Sequence, residues 1–215
     1  MAINVQNAFV GSAPIDGGVA FRAPIGTPLP KDAAEKLDQA FGDHGAVGED
    51  GVQVTQDRST SDIKQLGGDT FLTIQDNYDE TVTITFLEDD NDEVLASSFG
   101  DANVEKTEAT AQDGTKRVIY HTSETLPISS WVINTVYGQK KKRYVIEQGQ
   151  VITVGDVTDV HTDVTRRQLT IKTYKPTSTE LRGGNVVEYR DDGRPVAGNG
   201  DGSDGGDTPG GAEGE

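Results

Sequence analysis

The sequence contains no cysteine in 215 residues, and only one tryptophan and one methionine. Without cysteine, the chain forms neither disulfide bonds nor thiolate metal ligands. No apolar run approaches the ~20 residues that a membrane-spanning helix needs. Residues 1–4 also lack the basic and apolar stretches of a signal peptide. We therefore expect a protein that is made in the cytoplasm and does not insert into membranes.

Basic residues are scarce as well: 19 lysines and arginines stand against 36 aspartates and glutamates, a formal net charge of −17. A surface of this charge repels nucleic acid and acidic lipid on average. Hydrophobic residues make up 33% and aromatic residues 6% of the chain, which is little for a self-contained globular core. A β protein with one solvated sheet face, or with sheets completed by neighbouring copies, fits this composition.

Catalytic and metal-binding motifs are missing. The sequence has no G-x-S-x-G nucleophile elbow, no P-loop and no G-x-G-x-x-G after a predicted strand. Its three histidines, His44, His121 and His161, lack metal-ligand spacing, and the neighbouring His161 and Asp163 are typical of a surface pair. The acidic run 89–93 lacks the glycine and spacing of an EF-hand and is better explained by helix capping. We therefore predict no enzymatic activity, no cofactor and no metal site.

The stretch that ends at Gly100 carries the clearest local signals. Residues 71–75 and 81–87 are rich in β-branched and aromatic side chains and predict two strands, with turn residues at 76–79 between them. Asn91 is a favoured helix N-cap, and Gly100 suits the position that ends the helix. This segment predicts a hairpin followed by a short helix that packs on the sheet.

A second helix is predicted between Asp32 and Gly42. Asp32 and Glu35 have the spacing of a capping box, and Gly42 follows the last apolar position. The apolar stripe consists of Ala33, Leu37, Ala40 and Phe41. Helices this short need tertiary packing to be stable.

Further short strands follow at regular spacing, with turn residues such as Asp113-Gly114 and Gln148-Gly149 between them. The predicted segments are 17–22, 101–108, 117–122, 129–137, 141–148, 151–156 and 166–174. The predicted fold class is therefore mainly β, a β-sandwich with one or two short flanking helices.

The chain divides into three parts. Residues 1–16 predict an N-terminal arm, 17–190 the β domain, and 191–215 an acidic, glycine-rich tail with too few apolar residues to fold. Within the domain, segment 45–68 is highly polar. It predicts an edge strand or a long hairpin arm that becomes ordered against a partner.

The only basic cluster consists of Lys140, Lys141, Lys142 and Arg143. It could contact phosphate, or form a solvated turn, or meet an acidic patch on a neighbouring copy. We favour the subunit contact, because the strong overall acidity argues against nucleic-acid binding.

The order of these features resembles the major tail tube proteins of long-tailed (siphovirus-type) bacteriophages. The residues that carry the resemblance are Ala23-Pro24-Ile25-Gly26-Thr27, Gly48-Glu49-Asp50-Gly51, Lys64-Gln65-Leu66-Gly67-Gly68-Asp69 and Asn91-Asp92-Glu93-Val94-Leu95. The likeness spans residues 17 to about 189 and lies in the order of the features, since no single motif is specific. The acidic tail departs from the family pattern.

The resemblance implies a structural virion protein located in the phage tail. Its copies would form hexameric rings, complete a continuous β-barrel around the bore and stack into the tube that delivers the genome. Partners would be identical copies and other tail proteins, such as the tape measure and terminator. The implied ring-stacking arm includes Asp57, Arg58, Asp62, Lys64 and Gln65.

The acidic charge also has a meaning under this resemblance. Six copies at −17 each carry −102 per ring. Double-stranded DNA carries a charge about every 1.7 Å of its axis and would adhere to a basic wall. Because screening limits charge effects to about 8 Å at physiological salt, an acidic wall acts as a non-adhesive surface at contact.

Three alternatives remain open on the sequence. A monomeric, carbohydrate-binding-like sandwich would need exposed aromatic side chains, whereas Trp131 lies within an apolar strand pattern. A hydrolase would need a catalytic motif. A tail terminator or a secretion-tube subunit would share the fold.

Overall fold

The computed structural model describes residues 3–15 and 17–195. Of the predicted acidic tail, only residues 191–195 are among them. The predicted disorder of residues 196–215 therefore lies outside the described residues.

Ten strands and one helix make up the described fold, and the predicted mainly β class is confirmed. The strands are β1 (Ala20–Pro24), β2 (Gly42–Asp43), β3 (Val47–Lys64), β4 (Thr70–Phe86), β5 (Val104–Thr107), β6 (Lys116–Ile119), β7 (Ile128–Tyr137), β8 (Lys140–Val154), β9 (Arg167–Thr173) and β10 (Val187–Asp191). The helix is α1 (Asp92–Phe99), and short 3-10 turns lie at Val5–Asn7, Asp101–Asn103 and Thr179–Leu181.

Eight strands form one antiparallel sheet. Its order is β2-β1-β7-β8-β9-β4-β3, and β10 pairs with β8. Along one edge β8 pairs with β7, and along the other it pairs first with β10 and then with β9. β5 and β6 form a separate hairpin around Asp113-Gly114, as the sequence predicts. β3 is thus an end strand of the main sheet.

The main core lies on one face of this sheet, which curves around His44. The His44 ring centroid lies 5.2 Å from that of Phe86 on β4 and 5.2 Å from that of Trp131 on β7. In sheet order these strands are three places apart, about 14 Å in a flat sheet. Their common contact with one imidazole therefore requires strong curvature. Alternate residues Trp131 and Ile133 join this core, whereas Val132 faces the other side.

Helix α1 closes the core as predicted. Val94 and Leu95 are buried. The Asn91 side chain accepts a hydrogen bond from the Glu93 amide at 2.9 Å, which confirms the predicted N-cap. Gly100 ends the helix with φ +94° and ψ 141°, so it uses the positive φ open to glycine but not the left-handed helical conformation.

The turn predicted at residues 76–79 is wrong, because β4 continues through them. Asn77 pairs with Ser59 and Gln75 pairs with Thr60, which leaves Asp76 as an extra residue in a β-bulge. The Ser61 hydroxyl donates to the Asp76 carboxylate. Pairing with the long strand β3 therefore keeps residues 76–79 within β4, and the chain does not reverse direction there.

The strand boundary predicted at Gln148-Gly149 is also wrong. β8 runs unbroken through both residues, with a bulge opposite Ser129 and Trp131. Gly149 does not form a turn; instead, it lets the Trp131 ring approach the backbone closely.

The helix predicted from residue 32 to 41 is wrong, although its capping contacts form. Asp32 Oδ1 accepts the amides of Ala34 and Glu35, each at 2.6 Å, and the Glu35 carboxylate accepts the Lys31 amide at 2.5 Å. However, Arg143 Nη1 donates to the carbonyl oxygens of Asp32 at 3.0 Å and Glu35 at 2.7 Å. In a helix those oxygens would accept amides four residues later, so the arginine holds the segment as successive bends.

The apolar residues of this segment still reach a core. Ala33 and Phe41 are buried. Phe41 joins Val132 and Val145 in a second, smaller cluster on the other face of the sheet. The segment therefore covers part of that face without being a helix.

Candidate assembly surfaces

The most prominent surface feature is a two-stranded ribbon, residues 57–79, which we term the arm. β9 pairs with residues 81–86 of β4, and β3 pairs with no described strand other than β4. All residues from 55 to 77 are exposed. The eight residues from Asp57 to Lys64 span about 27 Å at 3.4 Å each. Because an isolated two-stranded hairpin is only marginally stable, the arm depends on its base for stability.

A polar network holds the base of the arm to the sheet. Glu80 is 3% exposed, and its carboxylate accepts hydrogen bonds from Gln56 Nε2 and from the Tyr78 hydroxyl, both at 2.9 Å. Lys172 on β9 lies 2.7 Å from the Asp79 carboxylate. The Lys172 hydrogen bond keeps the pKa of Asp79 below its usual value. The arm therefore leaves the sheet in a defined direction.

The predicted arm residues all lie on β3 or in the turn that follows it. The Arg58 guanidinium carbon sits 4.4 Å from the centre of the Tyr78 ring. The Asp62 carboxylate accepts from Thr73 at 2.7 Å and from Lys64 at 3.2 Å, and these bonds lower its pKa. The remaining two predicted residues are Asp57, which pairs with Asp79, and Gln65, whose amide donates to the Asp69 carbonyl at 2.9 Å. Their role in ring stacking stays a prediction.

Apolar side chains project from the arm into solvent. Ile63 pairs directly with Leu72, and Ile74 lies two residues further along β4, so the three share one face. Their exposed fractions are 45%, 48% and 45%. Phe71 is also exposed, and Leu66 is fully exposed at the tip. A polar ribbon with a contiguous apolar stripe is typical of a protein contact surface.

The outer edge of β3 is a second candidate contact surface. No described strand pairs with this edge along the arm, and the segment contains no proline. Unpaired strand edges of this length are templates for pairing with another chain. The arm carries five aspartates against Arg58 and Lys64, so its side chains are net acidic.

The structure divides the predicted basic patch by role. Arg143 is 6% exposed and donates to Asn134 Oδ1 at 2.7 Å, besides the two carbonyl oxygens of segment 32–35. Lys140 Nζ donates to the carbonyl oxygens of Gln6 and of Ala8, the latter at 2.7 Å. These two residues hold other parts of the chain.

Of the other two residues of the patch, Lys142 is partly buried and Lys141 is exposed. Lys142 Nζ lies 4.4 Å from the centre of the Phe9 ring. A subunit contact through Lys140, Lys141, Lys142 and Arg143 stays a prediction. Lys141 is the member best placed for it.

The N-terminal segment is better anchored than its composition indicates. Ser12 and Val136 exchange backbone hydrogen bonds of 3.0 and 2.9 Å. Phe9 packs edge-on against Tyr137, with ring centroids 6.2 Å apart. The adjacent apolar residues Phe9 and Val10 were the available signal for this docking.

The alternatives considered from the sequence find little support among the described residues. Trp131 is 1% exposed, so it offers no stacking surface for a sugar. His44 is buried, its Nε2 lies 2.8 Å from Ser97 Oγ, and burial lowers its pKa to about 3. For a hydrolase, Glu147 lines a cavity of about 680 Å³. However, its carboxylate already accepts hydrogen bonds from the backbone amides of Thr177 and Ser178.

Within the described part of the chain, no group of three or more His, Cys, Asp or Glu is placed to hold a metal ion. Nor does α1, or any other helix within residues 3–15 and 17–195, have the length and apolar character needed to cross a membrane.

Comparisons with known proteins give distant structural similarities only. No protein-family model matches the chain, and no curated protein matches it. A chain from the virion of a native gene transfer agent particle is 11% identical, with a TM-score of 0.37, over 65% of this chain and 88% of that one. A chain from the tail of an empty gene transfer agent particle, computed with C6 symmetry, is 9% identical, with a TM-score of 0.37, over 76% and 95%.

A third solved structure is the sheath–tube complex of an extracellular contractile injection system, PVC, in its extended state. One of its chains is 6% identical, with a TM-score of 0.36, over 86% of this chain and 94% of that one. Because all three TM-scores are below 0.5, neither the fold nor the function of this chain is inferred from them.

Proposed function

We propose that this chain is a structural tail protein that assembles with identical copies into six-membered rings, and that the rings stack into a tube for DNA delivery. The protein performs no catalysis in this role. Its partners are further copies and the other proteins of a phage tail. The order of sequence features that resembles siphovirus-type tail tube proteins supports this proposal.

The single observation that carries the proposal is the arm. A 23-residue ribbon with exposed Ile63, Leu66, Phe71, Leu72 and Ile74 has no packing partner among the described residues. Exposing this much apolar surface on a marginal hairpin is unfavourable for an isolated subunit. A neighbouring copy that covers the arm removes this cost, and repetition of the contact produces a stack.

The open edge of β3 supports the ring. A neighbouring subunit that pairs with this edge would extend the eight-stranded sheet across the subunit boundary and complete a continuous barrel. The low apolar content of the chain agrees with a core that is finished only in the ring. The net charge of −17 per copy makes the assembled wall non-adhesive to DNA.

The proposal is tested by shortening the arm without disturbing the sheet. Arg58 and Tyr78 pair directly, so residues 59–77 can be replaced by an Asn-Gly turn while Tyr78 keeps its hydrogen bond to Glu80. In the matched control, residues 108–115 are replaced by the same turn between the paired Thr107 and Lys116. Both variants should keep the circular dichroism spectrum and cooperative unfolding of a folded β protein.

Negative-stain microscopy across protein concentration provides the readout. We expect hollow tubes with six-fold rings from the unmodified chain and from the control, and no tubes from the shortened arm. The proposal is wrong if the unmodified chain stays monomeric at all concentrations. If the shortened arm forms tubes as readily as the unmodified chain, the arm is not the stacking element.

A further inference from the structure

A second surface, on the side of the N-terminal segment, concentrates positive charge. A cavity of about 290 Å³ lies between this segment, the start of β8 and the end of β10. We term it the basic pocket. Its charged lining consists of Asp191, Asp192 and five basic residues, which are Lys140, Lys141, Lys142, Arg190 and Arg194. This excess of positive charge is notable in a chain whose net charge is −17.

Neighbouring carboxylates balance only part of this charge. Glu188 is shared by Arg190, at 2.8 Å, and Lys142, at 3.8 Å. The two lining aspartates accept backbone amides of the turn that follows β10, at 2.8 and 3.0 Å. Among residues 3–15 and 17–195, no carboxylate oxygen lies within 4.0 Å of Lys141 Nζ. The basic pocket is therefore suited to an acidic partner.

Apolar side chains border the basic pocket. Phe9 lines it, and the Phe9 ring packs against that of Tyr137 with centroids 6.2 Å apart. Tyr137 is 43% exposed and Val10 is 56% exposed. A partner that matches this surface combines carboxylates with exposed apolar side chains.

One face of the arm has this combination. Asp57, Ser61 and Ile63 are an even number of residues apart on β3, so strand alternation places them on one face. The Ser61 hydroxyl donates to the Asp76 carboxylate, which therefore lies on the same side. In the described part of the chain, neither Asp57 nor Asp76 has a lysine or arginine within 4.0 Å. Both lie on the face of the apolar stripe formed by Ile63, Leu72 and Ile74.

We propose that the arm of one copy docks on the basic pocket of a neighbouring copy. The apolar stripe packs against Phe9, Val10 and Tyr137, and the aspartates of the arm face Lys141 and Arg190. This inference rests on the proposed function, and it names the surface that receives the arm.

The two surfaces do not meet within one subunit. Among the described residues, the side-chain hydrogen bonds and ion pairs of the arm reach only Glu80 and Lys172 outside residues 57–79. Complementary surfaces at different places on one chain pair head to tail between copies. Contacts of this kind propagate into closed rings or continuous filaments and do not stop at a dimer.

Charge and apolar surface contribute differently to this contact. Exposed ion pairs add little affinity, but opposite charges speed the encounter of two copies and fix their orientation. Burial of the apolar stripe then holds the arm in place. Added salt should therefore slow assembly, because it screens the charges that guide the encounter.

Charge reversal tests the contact. The pocket-reversed chain carries Lys141→Glu with Arg190→Glu, and the arm-reversed chain carries Asp57→Lys with Asp76→Lys. Each should raise the protein concentration needed for tube assembly by about tenfold or more, measured by light scattering and negative-stain microscopy. A chain with all four substitutions should assemble within about threefold of the unmodified concentration, because opposite charges face each other again. Circular dichroism and thermal unfolding establish that each variant is folded.

A matched control separates the contact from net charge. Lys116 and Lys175 are exposed and lie outside the pocket. Lys116→Glu with Lys175→Glu changes the net charge as much as the pocket reversal does, and should leave assembly nearly unchanged. Added to the arm-reversed chain, this control pair restores the net charge of the unmodified chain but should not restore assembly.

Because the chain has no native cysteine, cross-linking can locate the arm directly. Ser59→Cys places one thiol on the docking face of the arm, and Asn7→Cys places one in the pocket lining of a second copy. Thr27→Cys, in the separate 680 Å³ cavity, is the control site. Mixed copies are assembled and treated with a short bismaleimide, and mass spectrometry identifies the linked peptides. We expect links from the arm to Asn7→Cys and few to Thr27→Cys.

The results distinguish this inference from the proposed function. Tubes from the unmodified chain without rescue by the fourfold variant, or with the arm linked to Thr27→Cys instead, would overturn the inference alone. Preferential linking of Asn7→Cys to Ala212→Cys, which lies outside the described residues, would give the pocket to another occupant and have the same consequence. An unmodified chain that never assembles would overturn both.

Discussion

The indole of Trp131 lies directly against the α-carbon of Gly149. A Cβ atom added to Gly149 would lie 2.7 Å from Trp131 Cδ1 and 2.9 Å from Ile171 Cγ2. The indole Nε1 also donates to the Gly149 carbonyl at 3.3 Å. The largest buried side chain of the core therefore requires a residue without a side chain on the neighbouring strand.

A Gly149→Ala substitution should destabilise the fold by about 1–3 kcal/mol, since the ring must shift in a packed core. Urea unfolding monitored by tryptophan fluorescence measures the change directly. Gly114→Ala is the control, because no atom lies within 4 Å of its added methyl group, and it should be nearly neutral. Equal stability of the two variants would show that the Trp131 contact is looser than described.

The buried His44 should make the fold sensitive to mild acid. Its pKa is about 3 in the folded state, against 6.5 for a free histidine, because burial disfavours the charged ring. Below pH 6.5 the unfolded chain takes up a proton that the folded chain does not. The free energy of unfolding should therefore fall by up to about 1.4 kcal/mol per pH unit from this residue.

The measurement is a series of urea unfolding curves between pH 7.5 and about 5.5, a window above most of the titration of ordinary carboxylates. His44→Gln should flatten the pH dependence in this window, even if it lowers stability overall. His161→Gln, at an exposed position, should leave the slope unchanged. A His44→Gln slope as steep as that of the unmodified chain would assign the effect to another group.

Substitution of Arg143 should affect folding, whereas substitution of Lys141 should affect assembly. Arg143→Met leaves the carbonyl oxygens of Asp32 and Glu35 without their donor, at a cost of at least about 2 kcal/mol. Lys141→Glu, on an exposed side chain, should leave the melting temperature within about 1–2 °C but raise the concentration needed for assembly. Scanning calorimetry and light scattering measure the two effects. Unchanged assembly of Lys141→Glu would remove it from the subunit contact.

The apolar face of the arm should be needed for stacking. Changing Ile63, Leu72 and Ile74 to Thr keeps β propensity and removes apolar surface, so the subunit should fold but stack poorly. The control changes Thr60, Thr73 and Gln75 on the opposite face to Ser, Ser and Asn. Tube length by microscopy is the readout. Short tubes from both variants would indicate that the whole ribbon matters, not this face.

Local signals in the sequence were sufficient where the cause of a structure is local. The N-cap at Asn91, the hairpin at Asp113-Gly114 and the alternation in β9 were predicted for that reason. Local signals gave wrong predictions where a residue distant in the sequence determines the structure. Arg143 is more than a hundred residues from segment 32–35, and its hydrogen bonds replace those of a helix.

The same holds for the two wrong strand boundaries and the missed strand. Asp76 and Gly149 have turn-forming side chains, but a long partner strand and a tryptophan ring place them inside strands. β10 was not predicted, although Val187 and Tyr189 alternate with polar residues, and its described pairing is with β8 alone. The polar composition of residues 45–68 predicted either an edge strand or a hairpin arm, and the β3 half of the arm lies in this segment, whereas its β4 half was predicted as a strand and a turn of the central hairpin.

In the proposed assembly, the outer edge of β3 would also restrict which neighbouring strand pairs with it. Asp57, Arg58, Asp62 and Lys64 place both signs of charge along this strand. A neighbouring strand that slips by one residue turns its side chains to the opposite face, so a match of charges made in one register is lost in the next. The charges that discourage random aggregation of a free subunit would then also favour one alignment of the neighbouring strand.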